Sequence, residues 1–306
     1  CGSFSKAAQK LYVSQPSVSS LIHVLEEELG ITIFTRSSSG IAITNEGRQL
    51  LKLSNKLLRD ADYIDEYFQR SAEGPKPSFF ISSQHYDFVV SAFEEFVGGL
   101  DADRYTLGLN QNQTSVVIES VRKQSSDLGV IFLTKLTEKI ICRLLDAREL
   151  TFHELAAVPP CVFVRKGHPL TKLEHITEED LDGYPYSSFE QAQGVAVDFA
   201  EECQMVSMRK PSKCIIVNNR STAMNVLANT DAFSTGSGLL VKDLSPAGVV
   251  TIPLEAKDPV RLGWIALKNA KLSSHAEEFV HLLEASIQRS IAYTSQVHEQ
   301  LSAEKG

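Results

Sequence analysis

Residues 13–30 are VSQPSVSSLIHVLEEELG, and this stretch decides the N-terminal fold. Ser14 predicts a helix start, because its hydroxyl can accept a hydrogen bond from the amide of Ser17. Pro16 is tolerated in a first turn, where backbone amides lack helical partners. Apolar residues then recur at helical spacing until Gly30 ends the element. Residues 5–12 predict a further short helix, so the pair is a candidate helix-turn-helix.

Two short apolar segments follow, residues 31–34 and 41–43, with SSSG (37–40) between them. This pattern predicts a small β-hairpin, or wing. TNEG (44–47) then precedes a long amphipathic helix that is predicted to end near residue 71. Its apolar seam predicts self-association, because little chain upstream could cover it; packing within its own domain is the alternative. The predicted dimerisation residues are Leu50, Leu53, Leu57, Ala61, Ile64 and Phe68.

The segment EGPKP (73–77) ends the helical region, since glycine and two prolines favour an extended linker. Beyond it, predicted strands alternate with predicted helices, which favours a parallel, doubly wound α/β sheet. The strands are 79–82, 105–109 and 128–132, with helices 86–96 and 115–122 between them. A second α/β unit is predicted from strands 161–164, 214–217 and 262–267 and helices 222–227 and 274–287.

Composition and charge exclude several classes of protein. Hydrophobic residues make up 43% of the 306 residues, which is enough for two or three folded domains. No apolar run approaches the ~20 residues of a membrane helix. The net charge of −8 argues against nonspecific binding of nucleic acid. Residues 1–76 hold nine basic and nine acidic residues, so the acidic excess lies beyond them. The run EEE (26–28) is predicted to be a solvated helix edge.

The five cysteines favour a reducing compartment, because their number is odd and no pair has a CxxC spacing. The first residues, CGSFSK, lack the apolar segment of a signal peptide. We therefore expect a cytoplasmic protein. A redox-sensing role for Cys161 or Cys203 is disfavoured, because no cluster of positive charge lies near either residue in the sequence.

Five motifs occur in order within residues 4–47: FSKAA (4–8), VSQPSVS (13–19), LEEELG (25–30), IFTR (33–36) and TNEG (44–47). Together they resemble the winged helix-turn-helix of LysR-type transcriptional regulators. The resemblance implies a DNA-binding domain at 1–48, a linker and dimerisation helix at 45–73, and an effector-binding domain at 77–306. The family normally has one more helix before Gly2, so the resemblance also implies that the first helix is missing here.

The resemblance places the helix capped by Ser14 in the major groove, with its N-terminal residues toward the bases. Gln15 can form a bidentate pair with adenine, and serine hydroxyls can contact bases or phosphates. Many family members carry Arg at the position of Ser20 and basic residues near His23, so this chain should show a shallower salt dependence. The predicted DNA-binding residues are Ser14, Gln15, Pro16, Ser17, Ser19, Ser20, His23 and, in the wing, Arg36.

The remaining chain resembles the effector-binding half of the same family, which has the fold of periplasmic binding proteins. The resemblance is carried by SDLGVI (126–131), VFVRKGHPL (162–170) and FSTGSG (233–238), the last followed by LL where the family usually has a proline. It implies subdomain I at 77–156 and 263–306 and subdomain II at 157–262. The predicted fold is multidomain: an all-α winged helix-turn-helix with a long linker helix, then two doubly wound α/β subdomains.

In such a fold a ligand lies between the subdomains, at strand C-termini and helix N-termini. Hydroxyl and amide side chains there suit a small carboxylate or a sulfate-like anion. Helix capping uses the same residue types and remains the alternative. The predicted effector-binding residues are Ser82, Ser83, Gln84, Asn110, Asn112, Thr114, Ser115, Thr134, Ser187, Ser188, Thr222 and Thr235.

The predicted function is a DNA-binding regulator whose operator binding or promoter activation responds to a small-molecule effector. Its expected partners are operator DNA, the effector, further copies of the chain in a dimer and a tetramer, and RNA polymerase. No cofactor or metal is predicted, because the histidines lack ligand spacing. An enzyme is disfavoured because no nucleophile–base pair or phosphate loop is present. A small-molecule-binding protein without a transcriptional role, and a ligand-independent regulator, stay open.

Overall fold

A computed structural model describes residues 3–37, 40–69, 77–190, 212–246, 248–256 and 258–303. The chain forms two compact units, residues 1–75 and 76–306. The first is helical with one small hairpin, and the second is α/β. Most of the predicted linker at 73–77 lies outside the described residues.

Two helices meet at a tight turn near the start of the chain. They are α1 (Phe4–Lys10) and α2 (Gln15–Leu29). Ser14 caps α2 as predicted, and its hydroxyl accepts from the amide of Ser17 at 3.2 Å. Gly30 ends α2 with φ +64°, a left-handed conformation that glycine adopts without strain.

The wing consists of β1 (Phe34–Ser37) and β2 (Gly40–Ile43), which pair antiparallel. The first strand begins later than the predicted 31–34, because residues 31–33 are held against α2 instead. The Glu26 carboxylate accepts the amides of Ile33 and Phe34 at 2.6 and 3.1 Å. The prediction of a fully solvated EEE edge was therefore wrong for Glu26, which fastens the wing to α2.

The long helix α3 (Asn45–Gln69) follows the wing directly. The Thr44 hydroxyl accepts the amide of Gly47 at 2.9 Å, which caps its first turn. The predicted end near residue 71 lies outside the described residues.

The second unit begins with a five-stranded sheet in the order β4-β3-β5-β12-β6. Helices α4 and α8 cover one face of this sheet, and α5 and α6 cover the other. Its strands are β3 (Ser78–Ser83), β4 (Thr106–Gln111), β5 (Leu128–Leu133), β6 (Leu150–Val158) and β12 (Val260–Leu267). Its helices are α4 (Asp87–Gly99), α5 (Thr114–Arg122), α6 (Glu138–Asp146) and α8 (Ser274–Ala303). We call this part the first subdomain.

The second subdomain contains an antiparallel sheet, β10-β7-β11, and a parallel pair, β8 and β9. One helix, α7, packs against both. The elements are β7 (Cys161–Arg165), β8 (Tyr186–Phe189), β9 (Cys214–Val217), α7 (Arg220–Asn229), β10 (Ser234–Gly236) and β11 (Val249–Pro253). Two 3-10 turns, Pro169–Lys172 and Glu179–Leu181, lie between β7 and β8.

The predicted class of fold, a helix-turn-helix unit followed by α/β subdomains, is confirmed. The parallel pairing is confirmed for β3 with β4 and β5. The five-stranded sheet is nevertheless mixed, and the β10-β7-β11 sheet is purely antiparallel. Strand β12 follows the second subdomain in the chain and inserts antiparallel between β5 and β6.

The last helix is longer than the predicted 274–287 and contacts both subdomains. Its first half packs into the core of the first subdomain, where Phe279 and Leu283 are fully buried. Its second half packs on the second subdomain, where the Thr294 hydroxyl accepts the amide of Leu240 at 2.9 Å. His298 lies 3.0 Å from the Thr251 hydroxyl. A single rigid helix thus joins the two subdomains.

Candidate DNA-binding surface and effector cleft

The N-terminal part of α2 presents a polar surface. Gln15, Ser17 and Ser20 are exposed and Ser19 is half-buried. The Ser14 and Ser17 hydroxyls lie 2.7 Å apart, within hydrogen-bond distance. Because the first amides of a helix lack helical partners, this end of α2 suits contacts to phosphates and base edges.

A groove lies between α2 and the wing, with Gln15, Ser20, His23 and Thr35 in its lining. The structure brings together the predicted DNA-binding residues of α2 and its cap, which are Ser14, Gln15, Pro16, Ser17, Ser19, Ser20 and His23. The backbone of Arg36 belongs to β1, and its side chain lies outside the described part of the structure.

The predicted dimerisation seam of α3 is largely uncovered. Leu53 and Leu57 are 64% and 71% exposed, Ala61 is exposed and Leu50 is half-buried. The side chains of Ile64 and Phe68 lie outside the described residues. In the described part of this chain, the seam therefore offers apolar surface that a second copy could cover.

A cleft opens between the two subdomains of the α/β unit. Aromatic and aliphatic side chains line much of it, among them Phe88 from the first subdomain and Phe163, Phe189 and Met224 from the second. The polar lining residues are His85, Asp87, Arg220, Ser234, Thr235 and Ser237. An apolar lining with a few convergent polar groups is typical of a small-molecule site, while the free volume of this cleft, about 40 Å³, is far below the roughly 300–1,000 Å³ of ligand pockets.

An ion pair spans this cleft between the first residues of two helices, Asp87 of α4 and Arg220 of α7. The guanidinium contacts both carboxylate oxygens, through Nε and through Nη2, the latter at 2.8 Å. Its Nη1 donates to the carbonyl of His85 at 2.9 Å, and the Ser245 hydroxyl donates to Asp87 at 2.9 Å. The Arg220 and Asp87 side chains are 16% and 11% exposed, so solvent screens this pair weakly.

His85 stacks face to face on Phe189 across the same cleft, with 4.0 Å between ring centroids. Burial, and secondarily the positive charge of Arg220, lower the pKa of His85 from 6.5 to about 4. The imidazole is therefore neutral at pH 7 and contributes an apolar face to the cleft.

The pH dependence of folding should report this burial. The unfolded chain protonates His85 below about pH 6.5, whereas the folded chain does so only near pH 4. The stability that neutral His85 contributes is therefore lost as the pH falls from about 6.5 to about 4, by at most roughly 3.5 kcal/mol at ~1.4 kcal/mol per pKa unit. We expect His85→Phe, which keeps the stacking, to flatten this slope in urea unfolding measured from pH 8 to pH 4. The difference in unfolding free energy between the two proteins at pH 8 measures the effect of the substitution on packing. An unfolding free energy that depends on pH in the same way in both proteins would contradict the assignment of this slope to His85.

Ser82 and Ser83 of the predicted turn are the last two residues of β3, and Gln84 follows them. Most of the polar side-chain atoms of these residues are already used. The Ser82 hydroxyl lies 2.8 Å from that of Ser126. The Gln84 side chain donates to Thr114 at 2.7 Å and accepts the amide of Phe132 at 3.0 Å. The Ser83 hydroxyl is fully buried and has no hydrogen-bond partner among the described residues, so it alone in this turn keeps an unused polar atom.

The other predicted effector residues are dispersed. Thr235 lines the cleft, and in the described part of the chain it is the one member of the predicted set that does so. Thr134 pairs with Thr137 in the turn before α6, and Ser188 lies near Cys214 in the β8–β9 pair. Asn110 and Thr222 are exposed, Asn112 and Ser115 are half-buried, and Thr114 and Ser187 are buried. The predicted ring is thus not assembled around the cleft, and effector contact by its other members stays a prediction.

Sequence reasoning missed the charged and aromatic residues of the cleft. Asp87 and Arg220 are 133 residues apart in the sequence, and neither belongs to a motif. A weak signal was present, because Arg220 lies between predicted strand 214–217 and predicted helix 222–227, and Asp87 lies at the start of predicted helix 86–96. A ligand-facing residue is expected at such strand-to-helix turns.

Metal and thiol chemistry receive no support from the described residues. They contain no group of three or more His, Cys, Asp or Glu side chains that could hold a metal ion. Burial raises the pKa of Cys161 to about 12, so it carries no reactive thiolate. Cys203 lies outside the described residues. No helix in the described ranges is long and apolar enough to cross a membrane.

A winged helix-turn-helix unit followed by an α/β unit with a ligand cleft defines a class of protein, the ligand-responsive transcriptional regulators. Comparisons with known proteins identify the family. The profile of "Bacterial regulatory helix-turn-helix protein, lysR family" matches residues 1–48, and that of "LysR substrate binding domain" matches residues 103–288. The chain belongs to the LysR family of transcriptional regulators and is not an enzyme.

Individual relatives are distant. The chain is 28% identical to the HTH-type transcriptional regulator AlsR of Bacillus subtilis over 213 residues, which span 67% of this chain and 66% of AlsR. It is 23% identical to the regulator YcgK of the same species, over 94% of this chain and 91% of YcgK. Among solved structures, a Corynebacterium glutamicum OxyR C206 mutant aligns with a TM-score of 0.50 and 16% identity, over 97% of this chain and 91% of that one. The structural likeness supports the fold alone.

Proposed function

We propose that the N-terminal residues of α2 bind base edges in the major groove of an operator and that an effector in the inter-subdomain cleft modulates this binding. The observation that carries the first part is the exposed polar start of α2, where Gln15 and Ser17 follow the Ser14 cap. Gln15 would bind adenine, and the hydroxyls of Ser17, Ser19 and Ser20 would bind bases or phosphates. Arg36 would contact the DNA backbone or the minor groove.

The exposed seam of α3 supports a dimer within this proposal. Leu53 and Leu57 are uncovered in the single chain, and pairing them with a second copy would place two α2 helices on two half-sites of one operator. We propose the homodimer as the DNA-binding unit and a pair of dimers as the full assembly. The domain division at 1–48, 45–73 and 77–306 belongs to the same proposal, as do a cytoplasmic location and contact with RNA polymerase.

The second part of the proposal rests on the cleft. Its aromatic lining with one buried ion pair suits a small organic ligand with one charged group. For the ligand to act, it must bind one arrangement of the subdomains better than another, since tight binding alone shifts no equilibrium. The cleft lies where the two subdomains meet, so a ligand there contacts both.

Enrichment of genomic DNA fragments by the purified full-length protein tests the DNA-binding proposal. We expect enrichment of a sequence with dyad symmetry. Gln15→Ala should weaken binding to it by roughly tenfold or more, since a bidentate contact contributes ~1–3 kcal/mol. Gln9→Ala is the matched control, because Gln9 is an exposed glutamine on α1 outside the predicted contacts.

The salt concentration must be stated and kept low, because electrostatic contacts weaken steeply with salt. No enriched sequence at low salt would contradict operator binding and favour a small-molecule-binding protein without a transcriptional role. Equal losses for Gln15→Ala and Gln9→Ala would contradict the assignment of α2 as the recognition helix.

A further inference from the structure

The cleft contains an anion position that is occupied by one of the protein's own side chains. The Asp87 carboxylate accepts from Nη2 of Arg220 at 2.8 Å, from Nε of the same guanidinium, and from the Ser245 hydroxyl at 2.9 Å. A cation, a hydroxyl and an apolar wall around one carboxylate are the features by which proteins bind organic anions.

We propose that Arg220 binds the carboxylate group of the effector and that Asp87 occupies this position until the effector displaces it. This inference rests on the proposed function and deepens it, because it names the ligand's charged group and the residue that binds it.

Arg220 is suited to this exchange because its orientation does not depend on Asp87 alone. Its Nη1 donates to the carbonyl of His85 at 2.9 Å, so the guanidinium stays anchored when the carboxylate leaves. Nε and Nη2 then present the planar fork that matches a carboxylate in bidentate geometry.

Displacing Asp87 is energetically feasible. The exchange leaves Arg220 paired, because one carboxylate replaces another on the same guanidinium, whereas a buried Arg220 without any partner would be strongly destabilising. Asp87 lies in the first turn of α4, where the helix dipole favours a negative charge whether or not Arg220 is paired with it. An incoming carboxylate with an apolar body would gain additional free energy by burial against Phe163, Phe189 and Met224.

The exchange would also alter the contact between the subdomains. Asp87 belongs to the first subdomain, whereas Arg220 belongs to the second. The Ser245 hydroxyl that donates to Asp87 also accepts the amide of Val241 at 3.0 Å, so the segment 241–245 is tied to the same carboxylate. Replacing Asp87 with a free ligand removes the contacts of Asp87 with Arg220 and Ser245, while the hydrogen bond from Arg220 to the His85 carbonyl remains.

Calorimetric titration of the full-length protein with acetate, butyrate and benzoate tests the exchange, with acetamide, butyramide and benzamide as neutral controls of matched shape. Asp87→Asn removes the competing charge and should lower the half-saturating concentration of at least one carboxylate by tenfold or more. Asp87→Asn combined with Arg220→Gln should abolish the carboxylate response. The amides should bind no more tightly to Asp87→Asn than to the wild type.

Ser245→Ala provides a second variant that loosens Asp87 without removing either charge, and it should tighten carboxylate binding by a few fold. The proposal is overturned if Asp87→Asn binds every carboxylate no more tightly than the wild type does, if the double variant binds as well as Asp87→Asn, or if none of the proteins binds any carboxylate of the series. Enrichment of genomic DNA fragments by the same wild-type sample distinguishes failure of this inference from failure of the operator-binding proposal. If the sample still enriches an operator but the carboxylate titrations fail, operator binding stands and only the role of Arg220 is overturned.

Discussion

Gly47→Ala is expected to weaken specific operator binding strongly while leaving the α/β unit folded. Gly47 lies in the first turn of α3, where its amide is bound by the Thr44 hydroxyl. A Cβ atom at this position would overlap the carbonyl oxygen of Ile33 and lie 2.9 Å from Cγ1 of Ile43. Neither atom can move away easily, because the Ile33 oxygen belongs to the backbone and the Ile43 side chain belongs to the wing.

Overpacking of this kind costs about 1–3 kcal/mol, which is a large fraction of the stability of so small a unit. A cost of this size lowers the apparent operator affinity by at most roughly 5- to 150-fold, at ~1.4 kcal/mol per tenfold. Fluorescence anisotropy with the enriched operator measures the loss, and thermal unfolding of the α/β unit should be unchanged. Gly98→Ala in α4 is the control, because a Cβ there meets nothing within 4 Å. Wild-type operator affinity for Gly47→Ala would contradict the predicted clash.

Phe279→Ala is expected to cost about 3–5 kcal/mol of unfolding free energy, the range for removing a buried aromatic side chain. Phe279 of α8 is fully buried, and its ring centroid lies 5.7 Å from that of Phe79 and 6.0 Å from that of Phe96. The cavity would lie under the half of α8 that anchors the helix to the first subdomain.

Because α8 continues onto the second subdomain, the loss should reach both parts of the α/β unit. We expect urea unfolding of the variant to keep one main transition, with its midpoint at a lower urea concentration. In hydrogen exchange, the amides of β7 and β11 should lose protection together with those of β3 and β5. His281→Ala is the matched control on the same helix, where the side chain is 81% exposed, and it should change stability by less than about 0.5 kcal/mol. Protection lost only in the first subdomain would show that α8 does not couple the two.

Much of the N-terminal unit was predictable because its signals are local. The Ser14 cap, the spacing of apolar residues and the Gly30 stop lie within one or two helical turns of the atoms they organise. The same holds for β5, whose apolar run is buried at every position. The five motifs, in their order, indicated the family. The resemblance to that family then predicted which residues of α2 face DNA.

The candidate cleft was less predictable, because its residues meet only after folding. Serine, threonine and asparagine at strand ends predicted a polar ring, yet Gln84, Thr114 and Thr134 use their polar atoms within their own subdomain. Hydrogen bonds between neighbouring segments satisfy such side chains as completely as a ligand would, and the composition of a turn does not distinguish the two cases.

By itself, the amino-acid sequence determined the helix-turn-helix, the wing, the change from helical to α/β patterning and the family. Tertiary structure alone decided that Glu26 fastens the wing, that β12 inserts antiparallel, that α8 spans both subdomains and that Arg220 meets Asp87. The reason is physical. Caps and periodicity act between residues a few positions apart, whereas a buried ion pair or a shared helix depends on where the whole chain places groups that are distant in sequence.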